Sequence, residues 1–150
     1  MSQSLANIII HVIFSTKLRK PLILPEIRSS LYNYIGGTIL KLNSYLHEIG
    51  GIEDHVHLLL SLSRTMSDSQ LVEEIKKSST KWIKTQGTSY QNFAWQKGYG
   101  AFSVSQSNLD SAKVYIQNQD EHHKKITFEN EYRRFLTQYN IPFDERYVWD

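Results

Sequence analysis

The 150-residue chain contains no cysteine, which excludes disulfide bonds, thiolate zinc sites and cysteine nucleophiles. Its net charge is only +2 at pH 7, so the field of the whole molecule gives no argument for a nucleic-acid partner. Long apolar runs are also lacking, because the longest, residues 8–14, is interrupted by His11 and is far too short to cross a bilayer. Residues 1–7 show none of the features of a signal peptide. These absences predict a soluble, cytoplasmic protein.

Composition predicts one domain over residues 1–150, since 40% of the chain is hydrophobic and no linker or repeat divides it. The predicted strands are residues 5–15, 45–52, 55–62 and 99–104, and the predicted helices are 25–42, 67–85, 107–125 and 128–139. The order β-α-β-β-α-β predicts an α+β fold: a four-stranded antiparallel sheet with helices on one face, the ferredoxin-like or split βαβ plan. C-terminal helices follow, and one of them carries Tyr115.

Two histidines, His55 and His57, stand at the start of the third predicted strand. Because side chains alternate along a strand, both imidazoles project to the same side of the sheet, with their roots roughly 7 Å apart. Three leucines follow, so the pair is mounted on a rigid strand and could converge on one divalent metal ion. A lone His-x-His is also compatible with two ordinary, partly buried histidines.

Tyr115 and Gln119 are four residues apart, which places a phenol and a neutral amide on one face of the third predicted helix. A phenol with a pKa of about 10 is a poor nucleophile at neutral pH. A neighbouring divalent cation would stabilise the phenolate and also neutralise an attacked phosphate. The pair therefore indicates a nucleophile and a third metal ligand, although Tyr115 could also be an ordinary packed or surface residue. Mg²⁺ or Mn²⁺ suits these ligands, and zinc stays open.

Basic residues cluster locally despite the low net charge. Lys17, Arg19 and Lys20 follow the first predicted strand, and Lys84 ends a lysine-rich stretch of the second predicted helix. Such cations neutralise phosphates in nucleic-acid-binding proteins, so these four residues are candidate DNA contacts. Ordinary solvated faces carry similar clusters, and no motif selects between the two interpretations.

Four segments of the chain, taken together, resemble the single-tyrosine transposases of the HUH superfamily, which move small bacterial insertion sequences through single-stranded DNA. The segments occur in the family's order and extend over almost the whole chain. They are FSTK at 14–17, GIEDHVH at 51–57, GYGAFSVS at 98–105 and YIQNQDEHH at 115–123.

The resemblance implies that His55, His57 and Gln119 hold Mg²⁺ or Mn²⁺ and that Tyr115 attacks the scissile phosphodiester of single-stranded DNA. The product would be a 5′-phosphotyrosine and a free 3′-hydroxyl, and the reverse step would join strands without a nucleotide cofactor. The resemblance also implies recognition of DNA hairpins at element ends. It further implies a homodimer whose active sites are completed in trans by the tyrosine helix of the other subunit. No membrane partner is expected.

Other functions fit parts of the pattern. A domesticated relative that processes repeated genomic hairpins would share every catalytic residue and differ only in its flanking DNA. The same fold also serves non-catalytic modules that bind single strands, in which Tyr115 and the histidines would be incidental. A two-histidine phosphoesterase needs two separated His-x-Thr/Ser motifs, and the chain has one His-x-His. The roles of His122 and His123 are left open by the sequence.

Overall fold

Four strands and five helices make up the computed structural model, which describes residues 2–150. The strands are β1 (Ile9–Ser15), β2 (Tyr45–Ile52), β3 (His55–Ser61) and β4 (Gly100–Val104). The helices are α1 (Pro25–Lys41), α2 (Asp68–Ile83), α3 (Leu109–Gln117), α4 (Gln119–His122) and α5 (Phe128–Gln138). All neighbouring strands are antiparallel, in the order β2-β3-β1-β4. The predicted α+β fold with a ferredoxin-like sheet is confirmed.

Alternation along the two central strands separates the two faces of the sheet. One set of side chains packs with α1 and α2 in the main core: Ile10, Val12, Phe14, Val56, Leu58 and Leu60. The opposite set, which includes Ile9, Ile13 and Leu59, is covered by α3 and α5. His55 and His57 share the parity of Leu59, so both imidazoles project into the layer beneath the C-terminal helices.

The first strand starts later than predicted, at Ile9 rather than at residue 5. Its partners end there, because Ile9 pairs with Ser61 of β3 and with Val104 of β4, the last residues of those strands. Leu5 is 87% exposed and has no sheet to join. The predicted strand was too long because it was based on apolar character alone, whereas the observed strand begins only where β3 and β4 provide hydrogen-bond partners.

The predicted helix over residues 107–125 is interrupted at Asn118, which leaves α3 and α4 as separate segments. Asn118 has φ −100° and ψ 26°, outside the helical region. Asparagine is a poor residue for a helix interior because its side chain competes for nearby backbone hydrogen bonds. Tyr115 therefore lies in α3, whereas Gln119 begins the next helical turn.

Local signals place the other helices as predicted. Ser67 accepts a hydrogen bond from the Gln70 backbone N–H and completes a capping box at the start of α2. Thr127 caps α5 by accepting from the Asn130 N–H at 3.2 Å. Across residues 2–150, no helix combines the length and apolar character that a bilayer crossing requires.

Two glycines of β2 allow close packing around the site. Gly51 has φ +156°, a backbone conformation that residues with a side chain rarely adopt. A Cβ at this position would also overlap the His55 carbonyl oxygen across the hairpin. A Cβ at Gly50 would overlap the Ile116 carbonyl oxygen of α3. The bare backbone at these two positions lets α3 lie directly against the edge of the sheet and brings Tyr115 toward β3.

Candidate active site

A buried carboxylate, that of Glu131 in α5, lies at the centre of a histidine cluster between the sheet and the C-terminal helices. Glu131 is 1% exposed, and His55 and His57 are 0% exposed. Oε1 of Glu131 lies 3.1 Å from Nε2 of His57 and 3.7 Å from Nε2 of His55. His123 approaches the same oxygen with its Nε2 at 3.2 Å. The structure thus brings the two predicted histidines together around a carboxylate that the sequence did not suggest.

Gln119 reaches the same cluster from the first residue of α4. Its Oε1 lies 3.1 Å from Nε2 of His55 and 2.9 Å from Nε2 of His123. Its Nε2 lies 3.4 Å from Oε2 of Glu131, and the residue is 1% exposed. The break at Asn118 therefore does not remove Gln119 from the site, and its amide oxygen lies beside the histidine pair.

Tyr115 of α3 directs its hydroxyl to the opposite oxygen of the central carboxylate. The hydroxyl donates a hydrogen bond to Oε2 of Glu131 and lies 3.1 Å from Nε2 of His122. The Tyr115 ring centroid is 5.9 Å from that of His57. The phenol is partly exposed and has polar partners, so it lies beside the imidazole pair of its own chain rather than in an apolar interior.

Each imidazole of the pair also forms a hydrogen bond through its Nδ1, the ring nitrogen that faces away from Glu131. Nδ1 of His55 lies 2.8 Å from Oδ1 of Asp54, and Nδ1 of His57 lies 2.8 Å from Nε2 of His11. His11 projects from β1 on the same face of the sheet and is 4% exposed. Partners of this kind orient a histidine so that its Nε2 faces a metal ion. The position of His11 could have been predicted from the sequence, because it alternates with Ile9 and Ile13 along β1 and so projects to the same face of the sheet as they do.

Burial sets the protonation of the cluster. Removal from water lowers the pKa of His57 to about 4 and lowers the pKa of His11 well below its usual value. For Glu131, burial raises the pKa, but hydrogen bonds from His123 and His57 outweigh it and hold the pKa below the usual range. Burial and then the Glu131 charge raise the pKa of Tyr115. At neutral pH the cluster therefore presents a carboxylate, a neutral His57 and a protonated phenol.

The donor set fits a divalent metal ion. One ligand atom from each of His55, His57, His123 and Glu131 lies within 4.8 Å of the others, and the Gln119 amide oxygen lies beside them. Imidazole nitrogens combined with carboxylate and amide oxygens suit first-row divalent ions such as Mn²⁺ and Zn²⁺. The carboxylate adds a negative charge that the expected set of two imidazoles and one amide does not have.

Sequence reasoning missed Glu131 because no local pattern distinguishes it. An acidic residue in the first turn of a helix is common, since it interacts favourably with the helix dipole. Its place in the site depends on how α5 packs against the sheet through Phe128, Tyr132 and Leu136. His123 was noticed in the sequence, but its role required the contact with Glu131.

The four candidate DNA contacts lie in two parts of the chain, the segment after β1 and the end of α2. Arg19 binds Glu129 of α5 with its Nε 3.0 Å from Oε1, and its guanidinium lies 5.5 Å from the Trp149 ring centroid. Lys17 and Lys20 lie in the segment that leaves β1. Lys84 caps the end of α2, on the sheet face opposite the histidines.

The sequence matches a protein-family model, and the fold matches solved structures. The family model described as IS200-like transposase matches residues 4–119, which include Tyr115 and Gln119. No curated protein sequence matches the chain. A crystal structure of a Deinococcus radiodurans R1 protein assigned as a transposase superposes with a TM-score of 0.61 at 20% identity, covering 79% of this chain and 98% of that one.

A second solved structure is that of a REP-associated tyrosine transposase bound to a REP hairpin. It superposes with a TM-score of 0.61 at 16% identity, covering 96% of this chain and 93% of that one. At these identities the two likenesses show a shared fold. The family match extends from the residues before β1 to Gln119, well over half of the sequence, and confirms the resemblance seen in the four motifs. The chain belongs to the IS200-like transposase family.

Proposed function

We propose that the protein is a metal-dependent transposase of single-stranded DNA in which Tyr115 attacks the scissile phosphodiester. The observation that carries this proposal is the central carboxylate: Glu131 contacts the Tyr115 hydroxyl through one oxygen and His57 through the other. A candidate nucleophile and a candidate metal ligand therefore share one buried partner. Family membership supports DNA strand transfer as the activity.

The metal ligands in this proposal are His55, His57 and Gln119, with Glu131 and His123 in reach as further ligands. When bound, Mg²⁺ or Mn²⁺ would supply a Lewis acid that stabilises charge on the attacked phosphate. The depressed pKa of His57 keeps its ring neutral at pH 7, the form that can bind a metal ion.

The strand-cleavage step exchanges one ester for another. The Tyr115 oxygen forms a bond to phosphorus as the bond from phosphorus to the 3′ oxygen breaks, which leaves a 5′-phosphotyrosine. Oε2 of Glu131 already accepts the phenolic hydrogen and is the group in place to take that proton. That proton is released to water and the leaving 3′ oxygen takes one up from water, so protons balance, and the resulting 3′-hydroxyl reverses the step to join strands. No nucleotide cofactor is needed, because the number of phosphoester bonds is conserved.

The proposed substrate is single-stranded DNA with hairpins at the element ends, and residues 1–150 act as one catalytic domain. A structure with the same fold was solved with a REP hairpin, which supports a hairpin partner for this chain. A domesticated relative that processes repeated hairpins would use the same site. Hairpins at both ends of the gene would favour the transposase.

A homodimer with active sites completed in trans remains a prediction. In the structure, Tyr115 lies beside the histidines of its own chain, which supports assembly of the site within one chain. Mixing Tyr115→Phe protein with His57→Ala protein distinguishes a site assembled within one chain from a site completed by the other subunit. Recovery of cleavage in the mixture requires a tyrosine from one subunit to act at the histidines of another.

The proposal is tested by trapping the covalent intermediate. The protein is incubated with single-stranded oligonucleotides from the DNA flanking its gene, with Mg²⁺ or Mn²⁺, and protein–DNA adducts are resolved under denaturing conditions. Tyr115→Phe should abolish the adduct and keep hairpin binding, because the fold loses one hydroxyl. Tyr45→Phe is the matched control and should form the adduct normally. Tyr45 is 62% exposed and lies at the start of β2, where it pairs with Ser61 at the end of β3 opposite His55.

Two results would count against this assignment. An adduct that persists in Tyr115→Phe would place the nucleophile elsewhere. A wild-type protein that binds the oligonucleotides but never forms an adduct would instead match the non-catalytic binding module.

A further inference from the structure

A recess of about 700 Å³ lies between α2 and the segment that precedes β4, on the sheet face opposite the histidines. We call it the lysine groove, and its charged lining residues are Lys76, Lys77, Lys84, Lys97 and Glu73. Four lysines against one acid make this surface strongly positive, although the whole chain has a net charge of only +2. The groove is thus a local basic surface that the overall charge conceals.

Three of these ammonium groups are available to a ligand. Lys77, Lys84 and Lys97 are exposed, and neither Lys84 nor Lys97 forms an ion pair with any residue in the described range 2–150. Lys77 lies 3.9 Å from Glu74, and a pair so exposed contributes little. The groove therefore presents uncompensated positive charge to solvent.

The fourth lysine, Lys76, fixes one wall of the groove. Its Nζ donates to the carbonyl oxygens of Gln96 at 2.8 Å and of Gly98 at 2.6 Å. These bonds attach the segment before β4 to α2 and hold Lys97 opposite the other lysines. The groove is formed by the fold itself and does not depend on side-chain rearrangement.

The lining chemistry suits a sugar–phosphate backbone rather than bases. Phosphates are bound by ammonium groups with no sequence requirement, whereas single-stranded bases need exposed aromatic rings to stack on. Two of the three aromatic residues that line the groove, Phe93 and Trp95, are 2% and 7% exposed. The third, Tyr99, is half-buried: its hydroxyl donates to Asp68 and its ring centroid lies 5.9 Å from Nζ of Lys76. A polyanion held by its phosphates is therefore the ligand class that fits.

One wall of the groove lies at the same end of the sheet as His55, although on the opposite face. Trp95 pairs with Thr16, and the preceding residue Ser15 pairs with His55. With neighbouring strands roughly 5 Å apart, the wall of the groove lies two strand spacings, about 10 Å, from the strand of His55. Lys17 lines an adjoining recess with Trp95 and Lys97, so a further ammonium group lies next to the groove, in a recess that Asp150 also lines.

We infer that the lysine groove binds the backbone of the DNA substrate and leads it past Lys17 to Tyr115. The inference rests on the proposed function for its DNA partner. It concerns binding, so its failure can be distinguished from failure of the cleavage chemistry.

The test compares two lysines in equivalent positions. Lys84 is the C-cap of α2 in the groove, and Lys41 is the last residue of α1, next to the end of the sheet where β2 begins. Binding of a fluorescein-labelled oligothymidylate of about 20 nucleotides is measured by anisotropy between about 50 and 200 mM salt. Lys84→Gln should weaken binding several-fold and reduce the slope of log K against log salt by about 0.7. Adding Lys97→Gln should double the change in slope, whereas Lys41→Gln should leave both quantities unchanged.

Each outcome separates the two claims. If Lys84→Gln and Lys41→Gln change binding equally, the groove is not the DNA-binding surface. The cleavage proposal is then tested separately, by whether the wild-type protein forms the covalent adduct. If the wild-type protein binds neither oligothymidylate nor a hairpin with a single-stranded flank, both claims fail. Matching urea unfolding curves for the three variants exclude a folding defect as the cause.

Discussion

The carboxylate of Glu131, in α5, brings together side chains that reach it from α3, from α4 with its C-cap residue His123, and from β3. His57 and His123 contact its Oε1, and Tyr115 contacts its Oε2. A group that is 1% exposed and ionised needs such donors, because burial of an uncompensated charge is costly. The site therefore depends on a residue whose importance appears only when the helices are assembled.

Removing the charge of Glu131 should weaken metal binding. Glu131→Gln keeps the shape of the side chain but not the negative charge, so we expect the affinity for Mn²⁺ to fall by about 10- to 100-fold. Mn²⁺ binding is measured directly by electron paramagnetic resonance. Glu129→Gln, on the same helix and paired with Arg19 at the surface, is the control and should bind Mn²⁺ normally. Equal affinities would show that Glu131 takes no part in holding the ion.

At the scale of elements, the sequence predicted what depends on local patterns. The hairpin of β2 and β3, the Ser67 cap and the residues that form α5 follow from alternation, capping and helical spacing. The relation of Tyr115 to Gln119 was predicted through one continuous helix, which is interrupted at Asn118. Both residues nevertheless reach the site, because the sheet and α5, rather than the helical repeat, determine where they lie.

The contact between α3 and β2 can be tested at Gly50. A Cβ at this position would overlap the Ile116 carbonyl oxygen and lie 2.9 Å from its Cγ2, so α3 must shift. We expect Gly50→Ala to lower the free energy of unfolding by about 1–3 kcal/mol, the usual cost of overpacking. It should also reduce adduct formation more than DNA binding, since α3 carries Tyr115.

Gly37→Ala provides the contrast. Gly37 lies inside α1, and a Cβ there meets nothing within 4 Å. Because alanine is the better helix former, this change should raise the free energy of unfolding by roughly 1 kcal/mol. Urea denaturation of both variants measures the difference, and two effects of the same sign would contradict the packing argument.

At the scale of the whole molecule, the order of elements predicted the sheet, and the structure adds how its second face is covered. Helices α1 and α2 cover one face, as in the predicted plan, and α3 and α5 cover the other. The alternation of β3 placed His55 and His57 on one side, but it did not identify which helices lie over that side. That information is in long-range packing such as the apolar cluster that includes Ile13 of β1 and Phe128 of α5, which no local pattern encodes.

Stability of the metal-free protein should fall as the pH is lowered from 6.5 toward 4.5. The folded pKa of His57, about 4, lies below the value of about 6.5 in an unfolded chain, so below pH 6.5 the unfolded state binds the extra proton. The loss is about 1.4 kcal/mol per pH unit for such a histidine. His11 adds a loss of the same sign, whereas the stabilisation from the raised pKa of His123 is already complete below pH 6.5.

Urea unfolding at several pH values, in the presence of a chelator, measures this dependence. His57→Gln should make the slope shallower by about 1.4 kcal/mol per pH unit, because one buried neutral imidazole is removed. A free energy of unfolding that is constant between pH 6.5 and 4.5 would mean that the cluster already binds protons in the folded state.

The separation of the two sheet faces has a practical consequence for protein engineering. Every side chain of the histidine cluster lies on the face covered by α3, α4 and α5, while the larger apolar core lies between the sheet and α1 and α2. Thermostabilising libraries can therefore be confined to the core side, for example at Ile35, Ile39 and Ile75, with the chemistry left intact. Variants stabilised in this way would tolerate more of the destabilising substitutions that change the residues around the histidine cluster.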